Sequence, residues 1–246
     1  MVRFFFRIYQ FCIAFPLLLV ATIITALVTM VGSILFGGKW WGYWPPHVWS
    51  KLFCWLSFVR VKVVGRENIS SGESYVFIAN HQSAYDIFTI YGYLNHNFKW
   101  MMKESLEKIP LVGAACKYAG HIMVDRTNPQ GIRRTLEDAR AKLKDGMSIV
   151  VFPEGSRTKT GYMAPFKKGA FLLASQFGLP MVPITIDGSY DVINNNVKLP
   201  LYGVITLTIH PPVQQEGNLS QLMQKTHNII NSSLTKYQQL PNNEEI

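Results

Sequence analysis

A histidine and an aspartate stand five positions apart in the run Asn80-His81-Gln82-Ser83-Ala84-Tyr85-Asp86, directly after an apolar stretch at 76–79. Imidazole is the side chain best suited to take a proton near neutral pH. A carboxylate on its Nδ1–H fixes the tautomer that leaves Nε2 as a general base. Five residues on an ideal helix turn through about 140° around the axis, so within one helix the two would not share a face. The pairing therefore requires His81 ahead of a helix and Asp86 in its first turns. An ordinary helix N-terminal Asp near a hydrogen-bonded His has the same spacing.

A second polar run, Pro153-Glu154-Gly155-Ser156-Arg157-Thr158-Lys159, follows the apolar residues 148–152. Arg can bind two phosphate oxygens at once, and Gly lets backbone N–H groups come close to an anion. Lys103 and Arg126 end two further apolar runs, at 98–102 and 121–124. Ligands of α/β sheets bind at the carboxyl ends of strands, so these four ends predict one basic pocket equipped with a base.

The elements that must position these residues follow from periodicity. Runs rich in β-branched and aromatic residues at 61–64, 74–79, 98–102, 121–124, 148–152, 181–186 and 204–209 read as strands. Helices are expected at 87–94, 110–119, 166–177 and 219–237, and another from a start at Asn128 and Pro129 to about Lys144. In that helix Ile132, Leu136, Ala139 and Leu143 share an apolar stripe, and Arg133, Arg134, Arg140, Lys142 and Lys144 fall mostly off it as a solvated face. Strands alternating with helices predict an α/β domain.

The preceding segment is different. From Ile8 to Gly38 no residue is charged, a run longer than the roughly 20 apolar residues that span a bilayer core. Five of the six tryptophans, Trp40, Trp41, Trp44, Trp49 and Trp55, follow it, as at a membrane–water interface and unlike the polar chain after a cleaved signal peptide. Residues 46–59 are too short to cross and read as an interfacial helix. The expected division is membrane-anchoring helices at 1–59 and a catalytic α/β domain at 60–246. The long run either crosses or turns back, at Gly32 or at Gly37-Gly38; the alternative is a pair of hydrophobic helices inside an ordinary core. Arg3 and Arg7 before the run are outnumbered by Lys39, Lys51, Arg60 and Lys62 after it. That balance favours a catalytic domain facing the cytoplasm.

Hydrophobic residues make up 48% of the 246 and charged residues 16%, against about 25% charged in ordinary globular chains, which excludes disorder. A net charge of +9 calls for polyanionic partners: nucleic acid, anionic lipid or a phosphorylated substrate. Aromatic residues cluster in the charge-free N-terminus instead of interleaving with basic ones, which counts against a nucleic-acid-binding module. Cys12, Cys54 and Cys116 form no C-x-x-C pair, and H-E-x-x-H, G-x-S-x-G, G-x-G-x-x-G and G-x-x-x-x-G-K-[ST] do not occur. Neither a metal site, a serine nucleophile elbow nor a nucleotide loop is therefore expected.

Four ordered blocks, N-H-Q-S-A-Y-D at 80–86, G-H-I-M-V-D-R at 120–126, F-P-E-G-S-R-T at 152–158 and V-P-I-T-I at 182–186, resemble the glycerolipid acyltransferases, closest to those acting on 1-acyl-sn-glycerol-3-phosphate. The resemblance covers about residues 60–210 and implies a mixed sheet flanked by helices. It makes His81 the general base and Asp86 its orienting partner. It places Glu154, Gly155 and Arg157 at the glycerol phosphate, with Ser156 and Thr158 on the same loop and Lys103 and Arg126 as further phosphate ligands. His121 and Met123 stand where the family is often plainly hydrophobic. Bacterial members also carry a two-helix membrane element, which residues 1–59 resemble. The implied substrates are lysophosphatidic acid and acyl-CoA or acyl carrier protein, at a membrane (the inner one in a bacterium), with no cofactor, metal or nucleic acid. Acylation of a lyso-aminolipid, such as a lyso-ornithine or glycine lipid, by the same His and Asp is the alternative within this chemistry.

Overall fold

The computed structural model describes residues 1–124, 129–143, 147–194, 197, 199–214 and 218–235. Arg126, Asn128 and Lys144 lie outside the described residues, as do the side chains of Ile132, Arg134, Leu136, Lys142 and Leu143. The strands are β1 (Val59–Val64), β2 (Val76–Ala79), β3 (Phe98–Lys103), β4 (Ile122–Val124), β5 (Ser148–Val151), β6 (Met181–Asp187) and β7 (Gly203–Ile209). They form one sheet in the order β1-β7-β6-β2-β5-β3-β4. Every neighbouring pair is parallel except β6 and β7, so the sheet is mixed.

The central strands β2 and β5, Val-Phe-Ile-Ala and Ser-Ile-Val-Val, do not alternate with polar residues because both sheet faces are covered. Val76, Ile78, Ile149 and Val151 face a core shared with α8 (Gly169–Phe177) and α10 (Leu219–Ser232), along with Ala139 of α7 (Pro129–Leu143). Phe77, Ala79 and Val150 face the opposite core. That core is roofed by α4 (Trp44–Leu56) and α5 (Tyr85–Tyr93), and the short helices α6 (Val112–Tyr118) and α9 (Ser189–Val192) complete the set. Pro183 sits inside β6 without breaking its pairing to β2. Its carbonyl accepts from His210 N–H on the β7 side, so the missing donor also points away from β2.

The N-terminal run is one continuous helical stretch, of which the 34 residues from Arg3 to Phe36 form a candidate membrane span. It comprises α1 (Val2–Tyr9), a π-helical turn Gln10–Ala14 and α2 (Phe15–Phe36). It stops at Gly37, whose φ of 88° only glycine adopts readily. After α3 (Gly38–Trp41), α4 runs back along α2: Trp49 Nε1–H donates to Thr22 Oγ1 at 2.9 Å, and Leu56 packs on Ala14 and Leu18. The turn falls at Gly37 and not at Gly32, where the missing Cβ makes room for the Trp41 ring.

Both ends of this helix pair are tied to the sheet region. At one end Arg7 and Gln10 donate to the Pro200 carbonyl at 3.0 and 2.9 Å. At the other, the buried Lys99 ammonium donates to Gly38 O and Ala119 O at 2.6 and 2.7 Å. The outer face of α2 is a different matter: Leu17, Leu19, Val20, Ile24 and Leu35 are more than half exposed. Only 17% of its most apolar stretch is buried, so α2 is not a helix of an ordinary soluble core. It is long and apolar enough to cross a membrane.

Candidate active site

Strand order brings the two polar runs together. Because β2 and β5 are adjacent and parallel, with Ile78 beside Val151, residues 80–86 and 152–158 leave the sheet side by side. β3 is next to β5, and Lys103 at its end lies beside Val124 of β4.

Asn80 sets the first turn. Its side chain donates to Ile186 O at 2.9 Å and accepts from Ile186 N–H at 2.7 Å, continuing the β2–β6 pairing one residue past the strand. The chain then turns, and α5 starts at Tyr85. Asp86, in the first turn of α5, is fully buried and reaches back with one oxygen: Oδ2 accepts from Gln82 N–H at 2.7 Å and Ser83 N–H at 2.8 Å. The same oxygen lies 2.8 Å from His81 Nδ1. With a carboxylate there, Nδ1 carries the proton, and Nε2 has no hydrogen-bond partner among the described residues. The required arrangement, His before the helix and Asp inside it, is what the chain adopts.

The second loop closes over this turn. The Phe152 ring stacks on the His81 imidazole, centroids 4.0 Å apart and planes 9° from parallel, with Trp100 stacked beyond at 5.4 Å. Glu154 is buried, 3% exposed. Its Oε1 accepts from His81 N–H at 2.6 Å and its Oε2 from Ala164 N–H at 2.8 Å. Burial pushes this carboxyl up to about 7; the two N–H donors oppose the shift and the neighbouring Asp86 charge adds to it. Thr158 N–H donates to His81 O at 3.0 Å, and its hydroxyl accepts from Thr160 and Gly161 N–H, shaping the loop from inside. Gln82 Nε2 donates to Gly161 O at 2.7 Å, a third tie between the two segments.

A cavity of about 630 Å³ opens beside the pair, lined by His81, Gly155, Phe152, Trp100, Met101, Met102, Ile87 and Leu106 among others. Most of its wall is apolar, and Lys103, Glu104 and Lys108 are the charged residues on it among those described. Its size and largely apolar wall suit an aliphatic chain with a charged head. Gly155 holds φ at 79°, and its missing side chain leaves backbone facing the cavity. Ser156 and Arg157 are exposed on the adjoining loop and are not part of the cavity wall. Arg126 cannot be placed, being outside the described residues. His121 is buried in the core against Tyr91 OH and Trp100 N–H and is not part of the cavity wall.

Reasoning from sequence missed Phe152 as the ring under the imidazole, Asn80 as the strand extender, and Lys108. Their signals were present: an aromatic directly before the Pro-Glu-Gly run, an amide side chain at a strand end, and a second cation five residues beyond Lys103.

Comparisons with known proteins identify the family. Residues 60–187 match the family described as Acyltransferase. A 1-acyl-sn-glycerol-3-phosphate acyltransferase of Chlamydomonas reinhardtii is 34% identical over 179 residues, covering 72% of this chain and 54% of that protein. The human 1-acyl-sn-glycerol-3-phosphate acyltransferase alpha is 34% identical over 164 residues, 66% of this chain and 58% of that one. The chain thus matches little more than half the length of these curated relatives. The crystal structure of the 1-acyl-sn-glycerophosphate (LPA) acyltransferase PlsC from Thermotoga maritima has a TM-score of 0.71 and 28% identity, over 87% of this chain and 92% of that one. With the family matched across the strands that carry both polar runs, and the fold shared with a solved relative over most of its length, this chain belongs to the acyltransferase family.

Proposed function

We propose that the chain is a membrane-associated O-acyltransferase that moves a fatty acyl group from a thioester, acyl-CoA or acyl carrier protein, to the sn-2 hydroxyl of 1-acyl-glycerol-3-phosphate, forming phosphatidic acid. The observation that carries this reading is the His81–Asp86 pair at 2.8 Å, with His81 on the wall of a largely apolar cavity that also carries Lys103 and Lys108. The names of the relatives supply the acceptor. His81 Nε2 takes the hydroxyl proton as the oxygen attacks the thioester carbonyl, and the tetrahedral intermediate collapses with loss of the thiolate, which the imidazolium protonates. Asp86 holds the imidazolium that forms between these steps. In this reading backbone N–H groups of the site receive the oxyanion. Because a thioester is already activated and no electron changes hands, the reaction asks for a base and dipoles, with no cofactor or metal. Lys103, with Arg126, Ser156 and Arg157, receives the phosphate in this reading, and α2 with α4 lies in the lipid, the sheet region facing the cytoplasm.

The test offers purified protein in detergent lysophosphatidate or a lyso-aminolipid, with acyl-CoA or acyl carrier protein as donor, and follows thiol release. Turnover with lysophosphatidate is expected. Turnover confined to the lyso-aminolipid would replace the acceptor while keeping the chemistry.

A further inference from the structure

The resemblance places Glu154 at the substrate's phosphate, yet its surroundings assign it other work. The side chain is 3% exposed and is not part of the cavity wall. Both carboxylate oxygens are held by backbone N–H groups, His81 at 2.6 Å and Ala164 at 2.8 Å. Both oxygens are thus already occupied as acceptors, and in its ionised form the carboxylate has no proton to donate to a phosphate and repels it at close range.

We propose that Glu154 is a positioning residue: its carboxylate seats the His81 main chain, and through it the imidazole, instead of binding the phosphate. The imidazole is fixed at three points. Asp86 Oδ2 holds Nδ1 at 2.8 Å. The Phe152 ring covers one face at 4.0 Å. The His81 backbone is gripped on both sides, its N–H by Glu154 and its carbonyl by Thr158 N–H at 3.0 Å. Phe152, Glu154 and Thr158 belong to one loop, so the group that seats the His81 main chain also sets the stacked ring at its height. Through Ala164, Glu154 ties the far end of that loop to the same point. Without it, two segments that meet only because β2 and β5 are neighbours lose their main polar joint, and Nε2 drifts from the hydroxyl. A misplacement of about 1 Å at a reacting group costs on the order of 10²-fold in rate.

This rests on the proposed acyl transfer, and its test separates the two. Glu154→Gln keeps the size but leaves one acceptor for two donors. Its kcat is expected to fall on the order of 10²-fold, with KM for lysophosphatidate within about twofold of wild type. Arg157→Ala serves as the phosphate-site comparator, raising KM with kcat retained. A Glu154→Gln enzyme that shows the Arg157→Ala pattern, or full kcat, overturns the proposal. A second readout is independent of turnover: in protein labelled with ¹⁵N-histidine, the substitution should move the His81 imidazole signals and leave the other histidines in place. Unmoved His81 signals overturn the proposal even where kcat has fallen, because the loss then has another source. Should the variant not fold, the wild-type His81 amide proton decides, expected far downfield as a short bond to a carboxylate demands and overturning the proposal if it resonates with ordinary amides. If wild type acylates no lysophosphatidate, the proposed function fails and the His81 signals still settle the role of Glu154.

Discussion

Helix α2 and strand β2 are built from the same residue types and use them in opposite ways. In β2, Val76, Phe77, Ile78 and Ala79 are fully buried, packed alternately into the two cores. In α2, Leu19 is 63% and Leu35 65% exposed, and the buried positions Gly32 and Ser33 are small. Water drives the first pattern, removing apolar surface from solvent. The second is stable only where the surroundings are themselves apolar, because an aqueous protein does not leave so broad an apolar face uncovered. The proposed function accordingly sets the two halves in different solvents, with the cavity beside His81 in the sheet half.

Opposite effects of similar substitutions test this contrast. Phe77→Ala should cost about 3–5 kcal/mol of stability, seen as a large fall in Tm in detergent, since it empties a packed core. His81→Ala should lower kcat by about 10²- to 10⁴-fold while Tm and vesicle binding stay as in wild type; a variant that keeps near-normal kcat excludes His81 as the base. Leu19→Arg should leave Tm and kcat in detergent unchanged yet weaken partition into lipid vesicles by about 2.5–3.5 kcal/mol, the cost of a cation at membrane depth. Undiminished partition would remove α2 from the lipid.

Glu154 offers a pH-dependent contrast within the sheet half. Burial raises its carboxyl from the ordinary 4.5 to about 7. Between these values the folded protein holds a proton that the unfolded chain has lost. Its contribution to stability is therefore complete below about pH 4.5 and is lost as pH rises through about 7, amounting at most to about 3 kcal/mol. Tm measured from pH 5 to 8 should fall more steeply for wild type than for Glu154→Gln, and parallel curves would contradict the raised value. Above neutral pH, then, the ionised clamp is held at a cost in stability. The smallest effect belongs to the tie between halves: Gln10→Ala should lower Tm by an amount equivalent to about 1 kcal/mol, since Arg7 still reaches the Pro200 carbonyl.

The strands were legible to within two residues at each end because continuous apolar runs bounded by turn residues have few other uses in a chain of this length. The His81–Asp86 pairing was legible too, for it is local: a carboxylate one turn ahead reaches back to the ring and to two N–H groups of its own segment. The N-terminal helix could be recognised, but not where it turned. Gly32 and Gly37 are alike in sequence, and only the position of Trp41 showed which one is filled by a neighbour and which carries the positive φ.

What the sequence determined by itself is everything whose cause lies within a few residues: the apolar runs, the His81–Asp86 spacing, the charge-free segment and the cations at strand ends. What the tertiary structure alone decided is who meets whom. Glu154 and His81 are 73 positions apart, and nothing in either neighbourhood announces that one will hold the other's backbone. Their meeting depends on β5 pairing with β2 instead of with another strand, a choice made by the packing of both sheet faces at once. Placement changes the reading: a glutamate in a polar loop reads as a ligand, and the same glutamate buried beneath two N–H groups reads as part of the frame around His81.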